Sequence, residues 1–251
     1  MRILITIEYD GTDFCGWQIQ PDKRTVQGEV TSVLENLFGQ PISLHGSGRT
    51  DSGVHALSQK AHFDLERPSA VPVEKIPYAA NTKLPADVCV KKAELVEDDF
   101  EAQYSAKKKT YRYSFYFSGI NRPLSDRFAT QIPYSEDRFD INFARKALEK
   151  LVGTHDFVAF SSTGSTVKTT ERTIYDATLV RNENGIYDLT VTGNGFLYNM
   201  VRIIAGTIAE IGLSQRPLSD VDDALLTGDR LKCGKTFPPR GLTLINVEYE
   251  D

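Results

Sequence analysis

Apolar positions alternate from the start of the chain, with Ile3, Ile5 and Ile7 on one face of Arg2–Tyr9, and this predicts a strand. A loop containing Gly and Asp follows through Arg24. Thr25 stands where a helix cap belongs, and Val26, Val30, Val33, Leu34 and Leu37 then recur at helical spacing until Gly39 ends the run. Pro41–His45 predicts a short strand leading into the polar loop Gly46–Gly53, and Leu57–Leu65 a longer one. Pro72 suits the first turn of a short helix through about Asn81, and Asp87–Leu95 reads as a strand.

The second half uses the same elements less regularly. Lys109–Phe117 is a β-prone run of aromatics and threonine. Phe139–Leu151 has helical spacing and stops before Gly153. Arg172–Arg181 and Gly185–Thr192 form a hairpin pattern around Asn182-Glu183-Asn184-Gly185. Asn199–Gly212 predicts a helix with Met200, Ile203, Ile204, Ile208 and Ile211 toward a core. Ser219–Leu226 predicts a shorter one, with Ser219 and Asp222 at capping-box spacing. Leu242–Tyr249 closes as a strand. Strands mixed with two helices in each half give an α+β class, with a notional boundary near Ser105: halves 1–105 and 106–251 packed as one unit.

Composition narrows this picture. With 251 residues, 40% of them hydrophobic, the chain has enough material for one large or two small cores, and no apolar run is long enough to span a membrane. The first residues lack the apolar core and cleavage site of a signal peptide. Cys15, Cys89 and Cys233 are too far apart for a zinc pair or a disulfide framework, so a reducing, cytoplasmic setting is expected. The four histidines show no metal-ligand spacing, and no metal is expected. Net charge is −5, yet between Lys107 and Arg127 six basic residues face Asp126 alone. Tyr111, Tyr113, Phe115, Tyr116 and Phe117 interleave with them. Basic residues alternating with stacking rings suit splayed nucleotides, and equally a solvated strand face. Lys107, Lys108, Lys109 and Arg112 are the candidate RNA contacts in this run.

The loop Gly46–His55 carries the candidate chemistry. Gly53 permits a positive φ, and Arg49 stands two residues before Asp51. A guanidinium there can keep the carboxylate ionised for nucleophilic or base catalysis; the alternative is an Arg–Asp pair that braces a turn. Gly193-Asn194-Gly195 lacks the third glycine of a dinucleotide fingerprint and reads as a turn. His155 and Asp156, without an activated serine, read as phosphate contacts or structural bonding. Trp17 reads as core or as a stacking ring.

His45-Gly46-Ser47-Gly48-Arg49-Thr50-Asp51-Ser52-Gly53-Val54-His55-Ala56 closely resembles the signature of the TruA family of tRNA pseudouridine synthases. Six further stretches resemble that family in its order. These are Tyr9–Gln18 (YDGTDFCGWQ), Thr25–Glu29 (TVQGE), Lys109–Tyr113 (KTYRY), Gly153–Phe157 (GTHDF) with Gly193–Arg202 (GNGFLYNMVR), and Pro238–Leu242 (PPRGL). Ser52 and Cys15 depart from the residues usual there, and neither removes a group the chemistry needs.

The resemblance implies the pseudouridine-synthase fold: two ferredoxin-like halves with mixed, mainly antiparallel sheets flanking a central active-site cleft. It implies isomerisation of uridine on the 3′ side of the tRNA anticodon stem and loop, by an enzyme that flips its base, needs no cofactor and works as a homodimer. It assigns Asp51 as the essential carboxylate, Tyr111 as the ring over the target base, and Arg202 as the residue expected to pair with Asp51. Arg49, Phe196 and Leu242 become substrate contacts alongside Tyr111. Three roles stay open for Asp51: addition to uracil C6, attack on ribose C1′, or removal of the C2′ proton. Two rival readings also stand: an RNA-binding module with no use for Asp51, and a small-molecule hydrolase pairing Asp51 with a second acid.

Overall fold

The strands are β1 (Arg2–Tyr9), β2 (His45–Gly46), β3 (His55–Asp64), β4 (Val88–Val96), β5 (Lys108–Phe117), β6 (Thr130–Ile132), β7 (Gly153–Asp156), β8 (Glu171–Arg181), β9 (Ile186–Gly193) and β10 (Leu242–Glu248). The helices are α1 (Val26–Phe38), α2 (Ile76–Asn81), α3 (Pro123–Asp126), α4 (Ile141–Glu149), α5 (Met200–Gly212) and α6 (Ser219–Thr227). The computed structural model describes residues 1–67, 70–164 and 168–250. They form two units, Met1–Lys107 with Thr243–Asp251, and Lys108–Leu242. The return of the last strand to the first unit differs from the expected halves 1–105 and 106–251. A contiguous cut along the sequence has no way to register a strand that comes back.

In the first unit β1 pairs antiparallel with both β3 and β4, and β2 pairs antiparallel with β3. The succession β1-α1-β2-β3-α2-β4 with spatial order β4-β1-β3 is a ferredoxin-like arrangement. β10 joins β3 in parallel, Thr243 opposite His55. Ile3, Ile5, Ile7, Ala61 and Phe63 are buried, and α1 closes the core with Val26, Val30 and Leu34. Helix α1 starts and stops where its sequence says. The Thr25 hydroxyl accepts from the Gly28 N–H at 3.2 Å, and Gly39 is left-handed at φ 61°.

In the second unit β5 pairs with β9, β9 with β8 and β8 with β7, all antiparallel, while β6 lies parallel to β5. Helix α5 is buried along almost its whole length and α4 packs beside it. The core between them and the sheet is aromatic, with Phe117 4.7 Å from Phe139 and Phe115 stacked at 5.4 Å on Tyr187. The class is thus mixed α+β with mainly antiparallel sheets, as the sequence predicts.

Local differences have electrostatic or turn-level causes. Pro41–Leu44 forms no strand, and pairing is confined to His45–Gly46. Ser219 and Asp222 do not form a capping box, because Leu218 is the cap residue. Asp222 instead accepts from Lys150 at 2.8 Å. Helix α3 and strands β6 and β7 are too short to show a period in sequence. Replacing Thr25 with Ala is expected to lower the unfolding free energy by about 1 kcal/mol, and with Ser to leave it nearly unchanged, as measured by urea denaturation.

Candidate functional site

Each unit carries one part of the candidate chemistry. In the first, Asp51 sits in the loop between β2 and β3, half-buried, at the start of a turn in which its carbonyl accepts from the Val54 N–H at 3.1 Å. Gly53 adopts φ 78°, the positive value that a glycine there permits. The loop is pinned from two sides. Buried Gln59 on β3 donates to the Gly48 carbonyl at 2.8 Å and holds the Ser47 hydroxyl at 2.9 Å.

From the other side, the segment after β1 lies against the loop backbone. The Trp17 N–H donates to the Thr50 carbonyl at 3.0 Å, the Tyr9 hydroxyl meets the Thr50 hydroxyl at 2.8 Å, and the Ser52 hydroxyl donates to the Phe14 carbonyl at 3.1 Å. Gly16, at φ 85°, comes so close that a Cβ there would lie 2.7 Å from the Thr50 oxygen and 3.2 Å from the Asp51 carbonyl carbon. Arg24 clamps the segment in turn. It forms a fork on Asp87 at 2.7 and 2.8 Å, bonds Glu29 at 2.9 Å, and lies 4.1 Å over the Phe14 ring. Its bonds hold the Asp87 carboxyl below the usual carboxylate range.

In the second unit Tyr111 lies on β5, half-buried, with the Phe196 ring edge-on at 5.2 Å. Phe196 follows a turn that is tied to β8, where the Asn194 N–H donates to the Thr173 carbonyl and the Thr173 N–H to Asn194 Oδ1. Arg202, on the first turn of α5, donates from Nε to the Phe237 carbonyl at 2.7 Å and from Nη1 to Asn199 Oδ1. Tyr113, next along the same face as Tyr111, is fully buried. Its hydroxyl donates to the Pro238 carbonyl at 2.7 Å and lies 2.6 Å from the Thr130 hydroxyl, and burial pushes its pKa up. These bonds hold the Pro238–Leu242 segment onto β5. Lys109, also on the Tyr111 face, is lowered to about 8 by burial and then by the charge of Arg172.

A family model described as tRNA pseudouridine synthase matches residues 5–105 and 147–250. The tRNA pseudouridine synthase A of Caldicellulosiruptor saccharolyticus is 44% identical over 99% of both chains, and that of Thermoanaerobacter sp. is 43% identical over the same shares. The Lactococcus lactis subsp. cremoris protein of the same name is 42% identical over 99% of this chain and 97% of its own. The chain belongs to the tRNA pseudouridine synthase family. A solved Cbf5-Nop10-Gar1 complex overlaps at TM-score 0.36 and 12% identity, over 96% of this chain and 57% of that one, too little to argue from.

Within this family member, the residues singled out by sequence fall in distinct settings. Asp51 lies in a loop fixed at both ends, and Tyr111 and Phe196 form one ring pair. Leu242 is buried at the start of β10. The expected Arg49–Asp51 ion pair is not formed: Arg49 is exposed and makes no ion pair among the described residues. Its guanidinium sits in solvent, where water screens the gain from pairing.

The basic run divides by strand alternation. Lys109 shares the Tyr111 face, whereas Lys108 and Arg112 point from the other one. Lys108 lies 5.9 Å over the Tyr175 ring, and Arg112 lies 3.9 Å from Asp188 in a pocket of about 640 Å³. Lys107 is exposed in the first unit. Trp17 is core, at 1% exposure. Asp156 caps the Val158 N–H and His155 bonds the Val152 carbonyl, both structural roles. Among the described residues no group of three or more His, Cys, Asp or Glu could hold a metal, and no helix is long and apolar enough to cross a membrane.

Sequence reading missed Gln59, Gly16 and Arg172. Gln59 had a signal, being a polar residue on the same parity as the buried Ala61 and Phe63. The close approach at Gly16 had none. Replacing Gly16 with Ala is expected to speed hydrogen exchange at the Trp17 and Val54 amides by at least about tenfold, read by NMR, because backbone cannot yield to the new Cβ. For Lys109 the lowered pKa means that the unfolded chain binds more protons between about pH 8 and 10.5. Stability therefore rises with pH across that window. Lys109→Met should lack this rise, as measured by urea denaturation at pH 7, 9 and 10.5.

Proposed function

We propose that this chain isomerises uridine to pseudouridine on the 3′ side of the anticodon stem and loop of tRNA, with Asp51 as the essential carboxylate. Family membership along nearly the whole chain carries the reaction. The observation that supports Asp51 is its loop, held by backbone bonds from β3 and from the segment after β1, so that the carboxylate is presented without reorganisation.

The reaction breaks the bond between ribose C1′ and uracil N1, turns the ring, and forms the bond between C1′ and C5. The C5 proton leaves and N1 ends protonated, so atoms and electrons balance without a redox partner or cofactor. Asp51 begins the sequence by adding to uracil C6, attacking C1′, or taking the C2′ proton. Tyr111 stacks on the target base, which must leave its helix to be reached, and its hydroxyl helps remove the C5 proton. The edge-on contact with Phe196 steadies the Tyr111 ring for that role. Arg202 is the third catalytic residue, its guanidinium aimed by the Phe237 carbonyl and Asn199.

Phe196, Leu242 and Arg49 line the substrate. Arg49, exposed and without an ion pair among the described residues, suits a phosphate better than the role of charge partner to Asp51. Lys107, Lys108, Lys109 and Arg112 contact tRNA, local positive charge on an acidic chain. The protein works as a homodimer in the cytoplasm.

Asp51→Asn is expected to abolish pseudouridine formation on a tRNA transcript, by at least about 10⁴-fold, while tRNA affinity stays within about threefold. Normal turnover by this variant would overturn the assignment of Asp51. Tight RNA binding with no turnover by the unaltered protein would favour an RNA-binding module instead.

A further inference from the structure

Beside the Tyr111–Phe196 ring pair lies a second cation that the basic run in the sequence does not contain. β9 ends at Gly193, and the turn through Asn194 and Gly195 delivers Phe196 to Tyr111. The side chain of Arg172 on β8 packs against Gly195, where a Cβ would stand 3.7 Å from Arg172 Nε and 3.8 Å from Cδ. The arginine stem therefore runs along the backbone of the same turn that carries Phe196.

Arg172 is anchored through one nitrogen alone. Its Nη1 donates to the carbonyls of Thr169 at 2.9 Å and Glu171 at 2.6 Å. No carboxylate pairs with it among the described residues, and its Nε and Nη2 make no bond there. These two nitrogens are the fork that matches two oxygens of a phosphate.

Lys109 sits within electrostatic reach of Arg172, and its face is fixed by register: Lys109 is opposite Gly193, and Gly193 is opposite Ile174, two residues from Arg172. Burial lowers the pKa of both cations, and the charge of Arg172 lowers that of Lys109 further. Holding two like charges together in a half-buried place works against folding. An anion held by the Nε and Nη2 of Arg172 would offset the charge of Arg172 there.

We propose that Arg172, with Lys109 beside it, grips the RNA backbone phosphate next to the nucleotide whose base meets Tyr111 and Phe196. Arg172 thereby becomes a further binding residue that sets the register of the flipped nucleotide. This rests on the RNA-modifying reading above.

The test is equilibrium binding of an unmodified tRNA transcript across a salt series, with steady-state pseudouridine formation measured on the same preparations. Arg172→Ala is expected to weaken binding about tenfold and to lower the slope of log K against log salt by about 0.7 to 0.9, the loss of one phosphate contact. KM should rise with that loss while kcat stays within about twofold. Arg172→Lys should restore the salt slope without the full affinity, since it keeps the charge and loses the fork. Lys146→Ala, an exposed cation on α4, should change neither quantity. Should Arg172→Ala fail to fold, Arg172→Gln keeps hydrogen-bonding reach, removes the charge, and is expected to show the same loss of slope.

An unchanged salt slope in the folded Ala or Gln variant overturns the proposal, as does a fall in kcat at unchanged KM. Failure of the unaltered protein to form pseudouridine contradicts the preceding reading instead, so the two failures are distinguishable.

Discussion

The close approach of two backbones governs the first unit. The chain after β1 comes against the loop that bears Asp51 with no side chain between them, Gly16 facing Thr50 and Asp51 and Gly11 facing Val54. A Cβ on Gly11 would stand 2.0 Å from the Val54 carbonyl oxygen, so the contact exists only because that residue has none. Much of the surrounding structure serves this contact. Arg24 fixes the segment through Asp87 and Glu29, Trp17 fills the core beneath Gly46, and Gln59 ties the far side of the loop to β3. On the proposed reading this gives a carboxylate whose position is set before substrate arrives, which is where electrostatic catalysis gets most of its effect.

The second unit solves a different problem, holding polar groups beside an aromatic core. Strand alternation sorts the basic run on β5 into two faces, with Lys109 sharing the Tyr111 face and Arg112 turned away toward Asp188. Tyr113 uses its hydroxyl on Pro238 and Thr130, which fixes the segment before β10, while the half-buried Tyr111 meets Phe196 edge-on. Neighbouring tyrosines on one face thus sit in different settings, one fully buried and one half-buried. The overall charge of −5 says little about this arrangement, because the cations that matter are grouped on particular faces.

Long periodic elements were legible in the sequence. Arg2–Tyr9 is a strand with the predicted bounds, and α1 begins after Thr25 and ends before Gly39 because both caps are local chemistry. Asn182–Gly185 turns the β8–β9 hairpin where its residues indicate. Non-local features were not legible. Nothing in Leu242–Glu248 announces that it pairs with β3, nearly two hundred residues earlier. Proximity in sequence suggested Arg49 as the partner of Asp51, and the fold leaves it in solvent. The capping-box spacing at Ser219 was equally suggestive, yet Lys150 takes Asp222 from elsewhere in the unit. Arg172 escaped notice because its significance lies in the turn it rests on rather than in any motif around it. For the candidate site the motifs named Asp51, Tyr111 and Arg202; the scaffolding of the Asp51 loop in Gly11, Gly16 and Gln59 needed coordinates.

Pseudouridine formation leaves a chemical signature that neither RNA binding nor hydrolysis shares: the hydrogen on uracil C5 is lost to solvent while the base stays attached to its ribose. The purified protein should therefore be incubated, without added cofactor, with a tRNA transcript tritiated at uracil C5. Release of tritium to water in proportion to the pseudouridine formed, with no free uracil, is the expected result. Intact label after prolonged incubation, or release of free uracil instead, would contradict it.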